Sequence, residues 1–360
     1  MWPYWVLFLI PAFKALGPNA LSRGPSPGTH FHKLGRAWIT TGVLIALMVG
    51  WRHEVGGDWF NYLEHWAELP YTSTEAMLSK GDPGYWLMTK LFYEAGLGIY
   101  SLNLLFAALF SYGLVVFCRN QPRPWLALTV AVPYLLIVLG MGYTRQGVAL
   151  GLAMVGMVAL AHKETRGFVV WVALGALFHK SAVVLIPLGM LAAPGRRIWN
   201  VLWVGLAGAA LFTTLLSDSV DSLVTNYFEA QYQSEGALVR VMMNVVPAVI
   251  LLFYRERFNW DIAEKNLWTM IAWAALGSAV WLGYSKSSTA VDRLALYLIP
   301  LQLYVFTRLP DILARHNKDK PFWVRSVVVY YAIVQFVWLD YATNSPAWIP
   351  YKFYPLQGVF

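Results

Sequence analysis

Apolar residues gather into runs at about 2–16, 38–50, 99–117, 124–142, 147–161, 167–192, 200–216, 238–254, 267–284, 294–309 and 322–339, separated by short polar or charged connections. A spanning helix needs roughly 20 apolar residues, so the pattern predicts an all-α polytopic membrane protein with about ten transmembrane helices. The whole chain, 1–360, reads as one integral membrane domain. Met1 to Ile10 has neither a basic leader nor a small-residue cleavage pattern and reads as a retained span. Composition sharpens the picture. The chain is 58% hydrophobic and only 13% charged, against roughly 25% charged in an average soluble domain, which rules out a soluble enzyme.

The charge of +8 is distributed unevenly. Basic connections carry Arg23, Lys33 and Arg36; Arg119 and Arg123; Lys163 and Arg166; Arg196 and Arg197; Arg255, Arg257 and Lys265; and Arg315, Lys318 and Lys320. The positive-inside rule puts all of them in the cytoplasm, including a Gly/Pro/Ser-rich linker over 17–37, and it removes the need for a nucleic-acid partner. The segment 51–98 has the opposite bias: Glu54, Asp58, Glu64, Glu68, Glu75, Asp82 and Glu94 against Arg52, Lys80 and Lys90. It is expected outside, as an amphipathic segment at the surface of the bundle.

This sidedness holds for every connection only if the run 167–192 enters and leaves on one side. As a single helix it would rise about 39 Å, more than the roughly 30 Å hydrocarbon core. Two short arms broken at Phe178-His179-Lys180-Ser181 make a re-entrant hairpin instead. Non-helical backbone at membrane depth survives only in protein or beside a wet cavity, so the hairpin places a cavity near His179.

Candidate chemistry collects on the outer side. In Trp51 to Tyr62, two glycines permit a bend that can bring Arg52 and Asp58 to one rim. There Asp58 can serve as a general base, and Trp59 or Tyr62 can stack on a sugar; the plainer alternative is a surface ion pair among interfacial aromatics. Arg145 lies between two runs with hardly any loop, where a charge is expensive unless it faces a cavity or snorkels to the interface. His179 occupies the hairpin tip, as a diphosphate partner or as a structural histidine. Arg240 and Arg293 begin apolar runs from the same side. With Arg52 and Arg145 they make four guanidinium groups, a set suited to a diphosphate or, failing that, to anchoring at the interface. The seven histidines are scattered without metal-ligand spacing, and Cys118 has no partner, so no metal, cofactor or disulfide is expected.

Six short elements, in order, resemble the EpsG family, which is related to Wzy-type polysaccharide polymerases. They are Arg52 with Gly56, Asp58 and Tyr62; Asp82-Pro83-Gly84-Tyr85; Arg145-Gln146 with Ala149; Phe178-His179 with Ser181-Ala182; Arg293 with Tyr297; and Pro350-Tyr351-Lys352. Asp82 stands where a glutamate is more usual. The resemblance implies a GT-C-like membrane glycosyltransferase at the periplasmic face of the bacterial inner membrane. Its substrates would be undecaprenyl-diphosphate-linked oligosaccharides, joined into exopolysaccharide or O-antigen. Asp58, His179 and Arg145 would be catalytic, and Arg52, Arg240, Arg293, Tyr62, Tyr85, Tyr297 and Lys352 would bind substrate. A chain-length regulator and a flippase of the same pathway are the expected partners. A glycan ligase using the same donor, a flippase of the lipid-linked oligosaccharide and a non-catalytic scaffold of a secretion complex remain alternatives.

Overall fold

The computed structural model describes residues 1–17, 34–192, 197–215, 234, 236–285 and 287–357. Most of the linker expected at 17–37 and Arg196 lie outside the described residues. The described chain is helical almost throughout and contains no strand beyond one isolated bridge between Arg52 and Phe353. The helices are α1 Trp2–Leu16, α2 Arg36–Gly50, α3 Trp59–Glu68, α4 Thr74–Ser79, α5 Pro83–Glu94, α6 Gly98–Arg119, α7 Pro124–Ala131, α8 Thr144–Ala161, α9 Thr165–Phe178, α10 Ile186–Ala192, α11 Arg197–Leu215, α12 Ala237–Phe253, α13 Ile262–Tyr284, α14 Ser288–Ala295, α15 Pro300–Leu313 and α16 Lys320–Tyr341. Each apolar run of the sequence falls on one helix or one broken pair.

Local chemistry explains many helix starts. Prolines occupy the first turns of α1, α5, α7, α15 and α16, where the missing N–H has no helical acceptor to lose. Asp261 caps α13 by accepting the Ala263 and Glu264 N–H groups at 3.0 Å each. Beyond Ala131, α7 continues as a π-helical stretch over Val132–Gly140.

Among the described residues, four helices are long and apolar enough to cross a membrane: Gly98–Arg119, Thr144–Ala161, Ile262–Tyr284 and Asn317–Tyr341. A fifth is added if the pair Ser288–Leu298 and Pro300–Leu313, bent by 46°, is one broken span. The other apolar helical segments have 10–17 residues, Leu202–Leu215 within α11 among them. At 1.5 Å per residue, such segments rise at most about 26 Å, so by length and composition alone the described residues give four or five spans.

The long run breaks where its polar turn predicted. Helix α9 stops at Phe178, His179 is extended (φ −155°, ψ 109°), and a 3-10 turn over Lys180–Leu185 leads into α10. The arms fold back on each other: a Cβ built on Gly189, beyond the break, would lie 2.6 Å from the ring of Phe168, before it.

Helix α8 is the most enclosed of the long helices, and its approach to α6 depends on two facing glycines. A Cβ on Gly113 would meet the Gly151 carbonyl oxygen at 1.9 Å, and one on Gly151 would meet the Phe110 Cα at 2.8 Å. Close backbone contact of this kind supplies dispersion energy where lipid offers no hydrophobic drive. Gly113→Ala is expected to lower the thermal unfolding midpoint in detergent, at a cost of about 1–3 kcal/mol for forced overpacking.

Among the described residues, the basic connections carrying Arg123, Lys163, Arg257 and Lys320 are tied to neighbouring helix ends of the bundle. Arg123 holds Asp311 through two nitrogens (2.6 and 3.0 Å) and Lys320 joins the same carboxylate at 2.9 Å. Lys163 pairs with Asp261 (3.2 Å), and Arg257 donates to the Ile312 carbonyl (3.1 Å). The segment 51–98, the turn before Arg145 and the tip of the hairpin come together elsewhere, around the acids described next.

Candidate active site

Asp58 is placed by glycines and by the tail of the chain. Gly56 adopts φ +107°, and a Cβ there would come 2.1 Å from the Met141 carbonyl oxygen, so only glycine lets this loop lie on the turn before α8. The Gly56 N–H donates to the Ala347 carbonyl (2.8 Å) and the Asp58 N–H to the Gly142 carbonyl (3.4 Å). Next to Ala347, the Trp348 indole donates to the Ile137 carbonyl in the π-helical stretch (2.9 Å), while the Tyr4 hydroxyl donates to the Trp348 carbonyl (2.6 Å). The Asp58 carboxylate itself makes no hydrogen bond or ion pair among the described residues.

A second carboxylate, Asp82, is the hub of the site. It has φ +54° at the start of α5, and its side chain does not cap that helix. Instead it turns to the hairpin tip and to α8. One oxygen accepts from Arg145 (3.0 Å) and lies 3.3 Å from the His179 Nδ1; the other accepts the Lys180 backbone N–H at 2.9 Å. The sequence Asp82-Pro83-Gly84-Tyr85 explains how α5 comes so close. Pro83 opens the helix, Gly84 has room for no more than a hydrogen against Leu177 (3.0 Å to its backbone oxygen), and Tyr85 lies beneath the Arg145 guanidinium at 5.2 Å. The Tyr85 hydroxyl is 3.1 Å from the His65 Nδ1.

The other candidates separate into two groups. Arg293 is half-buried; its carbonyl accepts from the Gln146 side chain (2.7 Å), but its guanidinium makes no hydrogen bond or ion pair among the described residues, and its charge acts on Asp58. Lys180, also half-buried, has a side-chain ammonium without a hydrogen bond or ion pair there, beside Asp82 and Arg145. Tyr297 is buried and its hydroxyl is 3.0 Å from the Ser181 hydroxyl, tying the 3-10 turn after α14 to the hairpin tip. These residues converge with Asp58, Asp82, Arg145 and His179. By contrast, Arg240 is committed to both oxygens of Asp292, to Ser234 and to Tyr134 (3.2 Å). Lys352 pairs with Glu54 on the rim.

Arg52, Trp59 and Tyr62 are placed differently from the expectation that they touch substrate. Arg52 is 1% exposed, and its three guanidinium nitrogens donate to the carbonyls of Val55 (3.0 Å) and Val49 (2.6 Å) and to the Thr144 hydroxyl (2.7 Å). It is a positioning residue that ties the Asp58 loop to the residue before Arg145. Trp59 and Tyr62 are 1% and 4% exposed, which leaves no ring face for a sugar. They point inward because α3 packs its first turns on the bundle.

The two acids have opposite electrostatics. Burial raises Asp58 above the usual carboxylate value, against the lowering influence of Arg293, Arg145, His179 and Arg52. Burial would raise Asp82 too, but the His179 hydrogen bond and charge, Arg145 and the Lys180 N–H outweigh it and hold this carboxyl below the usual value. His65 is pushed down to about 4, first by burial and then by the Arg145 charge, so it is neutral at physiological pH. The arrangement offers one free, basic carboxylate beside a cationic patch whose own counter-ion is already built in. No group of three or more His, Cys, Asp or Glu side chains able to hold a metal ion occurs among the described residues.

Sequence reasoning missed two members of this cluster as site residues, Asp82 and Lys180. The signal for Asp82 was the Asp-Pro-Gly pattern, which reads equally well as an ordinary helix start. For Lys180 it was adjacency to His179.

A family model described as EpsG family matches residues 36–353, nearly the whole chain. No curated protein and no solved structure matches.

Proposed function

Since the chain belongs to the EpsG family, we propose that it is a membrane glycosyltransferase that polymerises undecaprenyl-diphosphate-linked oligosaccharide repeats. In this reading about ten spans, some of them short, form a GT-C-like bundle in the bacterial inner membrane. The basic end faces the cytoplasm and the Asp58 end faces the periplasm. The observation that carries the reading is the unpaired Asp58 carboxylate beside the unpaired Arg293, with Arg145 and His179 held on Asp82 next to them. A group transfer that releases a diphosphate needs a base on one side of the reacting carbon and cations on the other.

The reaction is a displacement. A hydroxyl oxygen of the acceptor repeat bonds to the anomeric carbon at the reducing end of the donor chain. The bond from that carbon to the diphosphate oxygen breaks, and undecaprenyl diphosphate leaves with the electron pair. Asp58 takes the hydroxyl proton as the new bond forms, and its raised basicity suits it to that task. Arg293 and Arg145 meet the charge that develops on the leaving diphosphate, so the cations that neutralise it are supplied by the protein. His179, with Nδ1 turned to Asp82, directs Nε2 toward a phosphate oxygen. Lys180 adds a charge at the same tip.

The test is Arg293→Lys in a deletion strain whose lipid-linked saccharides are sized. Lysine keeps the charge and loses the two-pronged donor. Polymer should fall by about 10- to 100-fold, the cost of one or two charge-assisted hydrogen bonds in the transition state, and single repeats should accumulate on the outer leaflet. Wild-type polymer from correctly inserted Arg293→Lys would remove Arg293 from the diphosphate site. Repeats trapped on the inner leaflet of the deletion strain would identify a flippase instead.

A further inference from the structure

Outside the reacting groups, the rim carries a second cluster that the proposed chemistry does not use. Residues 51–53 and 352–354 run antiparallel: the His53 N–H donates to the Lys352 carbonyl (3.0 Å) and the Tyr354 N–H to the Trp51 carbonyl (2.7 Å). This short ladder lays Tyr354 face to face on Tyr100, with ring centroids 3.5 Å apart and planes 12° from parallel. Tyr354 nevertheless stays 44% exposed. Around the stack, His53 bonds the Tyr100 hydroxyl, and Glu54 pairs with Lys352 and lies 3.8 Å from the His53 Nε2. Glu54 itself sits at φ +50°, a left-handed conformation that a glutamate adopts only when its surroundings impose it. The inner edge of the cluster is Trp59, whose ring contacts both His53 and Tyr100 at centroid distances of 6.0 and 5.9 Å. Asp58 is the residue immediately before Trp59, so the cluster adjoins the base.

The chemistry of this patch is mixed in a particular way. A flat, exposed ring offers a surface to the C–H bonds of a pyranose, and a carboxylate beside an ammonium can bind two neighbouring hydroxyls as acceptor and donor. A lipid tail would make no use of Glu54 and Lys352, and a phosphate would be repelled by Glu54. We propose that Tyr354, Tyr100, His53, Glu54 and Lys352 form a saccharide subsite. It holds a sugar of the acceptor oligosaccharide next to the one whose hydroxyl faces Asp58. The assignment rests on the polymerase reading and adds to it the sugar-stacking platform that Trp59 and Tyr62, being buried, do not provide.

The probe is the soluble oligosaccharide released by mild acid from the lipid-linked repeats of the deletion strain. Its binding to the purified full-length protein is measured by saturation-transfer NMR and by titration. Tyr354→Leu keeps apolar area and removes the flat ring, so its Kd should rise about tenfold. Tyr354→Phe keeps the ring and should bind within about threefold of wild type. Thermal unfolding of both variants identifies any that fail to fold, and Glu54→Gln then serves as an independent variant, with a loss of affinity expected. If Tyr354 is merely an interfacial anchor, Tyr354→Leu and Glu54→Gln will bind the oligosaccharide as wild type does, and the subsite is overturned while the polymerase reading stands. If no lipid-linked repeats accumulate in the deletion strain, both are overturned.

Discussion

Asp58→Asn is expected to abolish polymer formation while leaving the protein folded and able to bind the lipid-linked donor. Loss of a general base costs about 10²- to 10⁴-fold in rate, and here no other carboxylate in the cluster is free to substitute, because Asp82 is committed to Arg145, His179 and the Lys180 N–H. A second signature accompanies the first. Burial raises the Asp58 carboxyl, so the ionised form weakens the folded state. Stability associated with this group is present below the unfolded value of about 3.9 and is lost as pH rises through the higher folded one. At neutral pH the Asn variant should therefore unfold at a higher temperature than wild type. Wild-type activity should fall on acidification with a midpoint above that of an ordinary aspartate. An inactive variant that is also less heat-stable would point to Asp58 as a structural acid and not the base.

The other large effect is expected at Asp82. Asp82→Asn removes the charge that organises Arg145 and His179 and leaves the Arg145 guanidinium without its counter-ion. Breaking a buried ion pair costs about 3–5 kcal/mol; with Arg145 30% exposed, the lower end applies. Activity should fall at least as far as for the arginine variant, because the diphosphate ligands lose their common anchor. The pH dependence runs opposite to that of Asp58. The folded carboxyl is held low by His179, Arg145 and the Lys180 N–H, so its stabilisation is present above the unfolded value of about 3.9 and disappears as pH falls through the folded one. Acid unfolding curves of wild type and Asp82→Asn should converge at low pH. Curves separated by a constant amount down to pH 2 would show that the Asp82 charge is not what is lost. Asp82→Glu makes a useful companion, since it restores the charge with a longer reach and should recover part of both activity and stability.

Much of the helix order was legible because apolar runs and helices share a cause, the removal of side chains from water. Even the break in the long run could be read, since Phe178-His179-Lys180-Ser181 is the one polar stretch in 167–192. Span number was less legible. Among the described residues seven apolar helical segments are shorter than a bilayer crossing, and hydrophobicity alone does not distinguish a short span from a segment buried within the bundle. At the site, the residue types of the cluster could be read, but their pairing could not. Asp82 lies 63 residues from Arg145 and 97 from His179, and no local pattern encodes a contact at that separation. Side-chain direction was equally hidden. Arg52 looked like a rim cation because it stands next to a polar loop, yet the ends of α2 and α8 and the Val55 carbonyl surround its guanidinium. Trp59 and Tyr62 looked like sugar platforms because they follow a glycine pair, but the bend supplied by those glycines turns the first face of α3 into the protein.

The indole of Trp348 closes on a carbonyl 211 positions earlier in the chain, and this has a consequence in time. A ribosome adds about 5–20 residues per second, so the Ile137 carbonyl waits about 10–40 seconds after synthesis before its partner exists. Over the same interval the Gly56 N–H has no Ala347 carbonyl to meet, and the loop carrying Asp58 lacks its outer support. The helix that positions Arg145 can insert and pack long before the Asp58 loop is fixed. The fixing of the Asp58 loop should thus be the last step in assembling this site, after Asp82, Arg145, His179 and Arg293 have been synthesised.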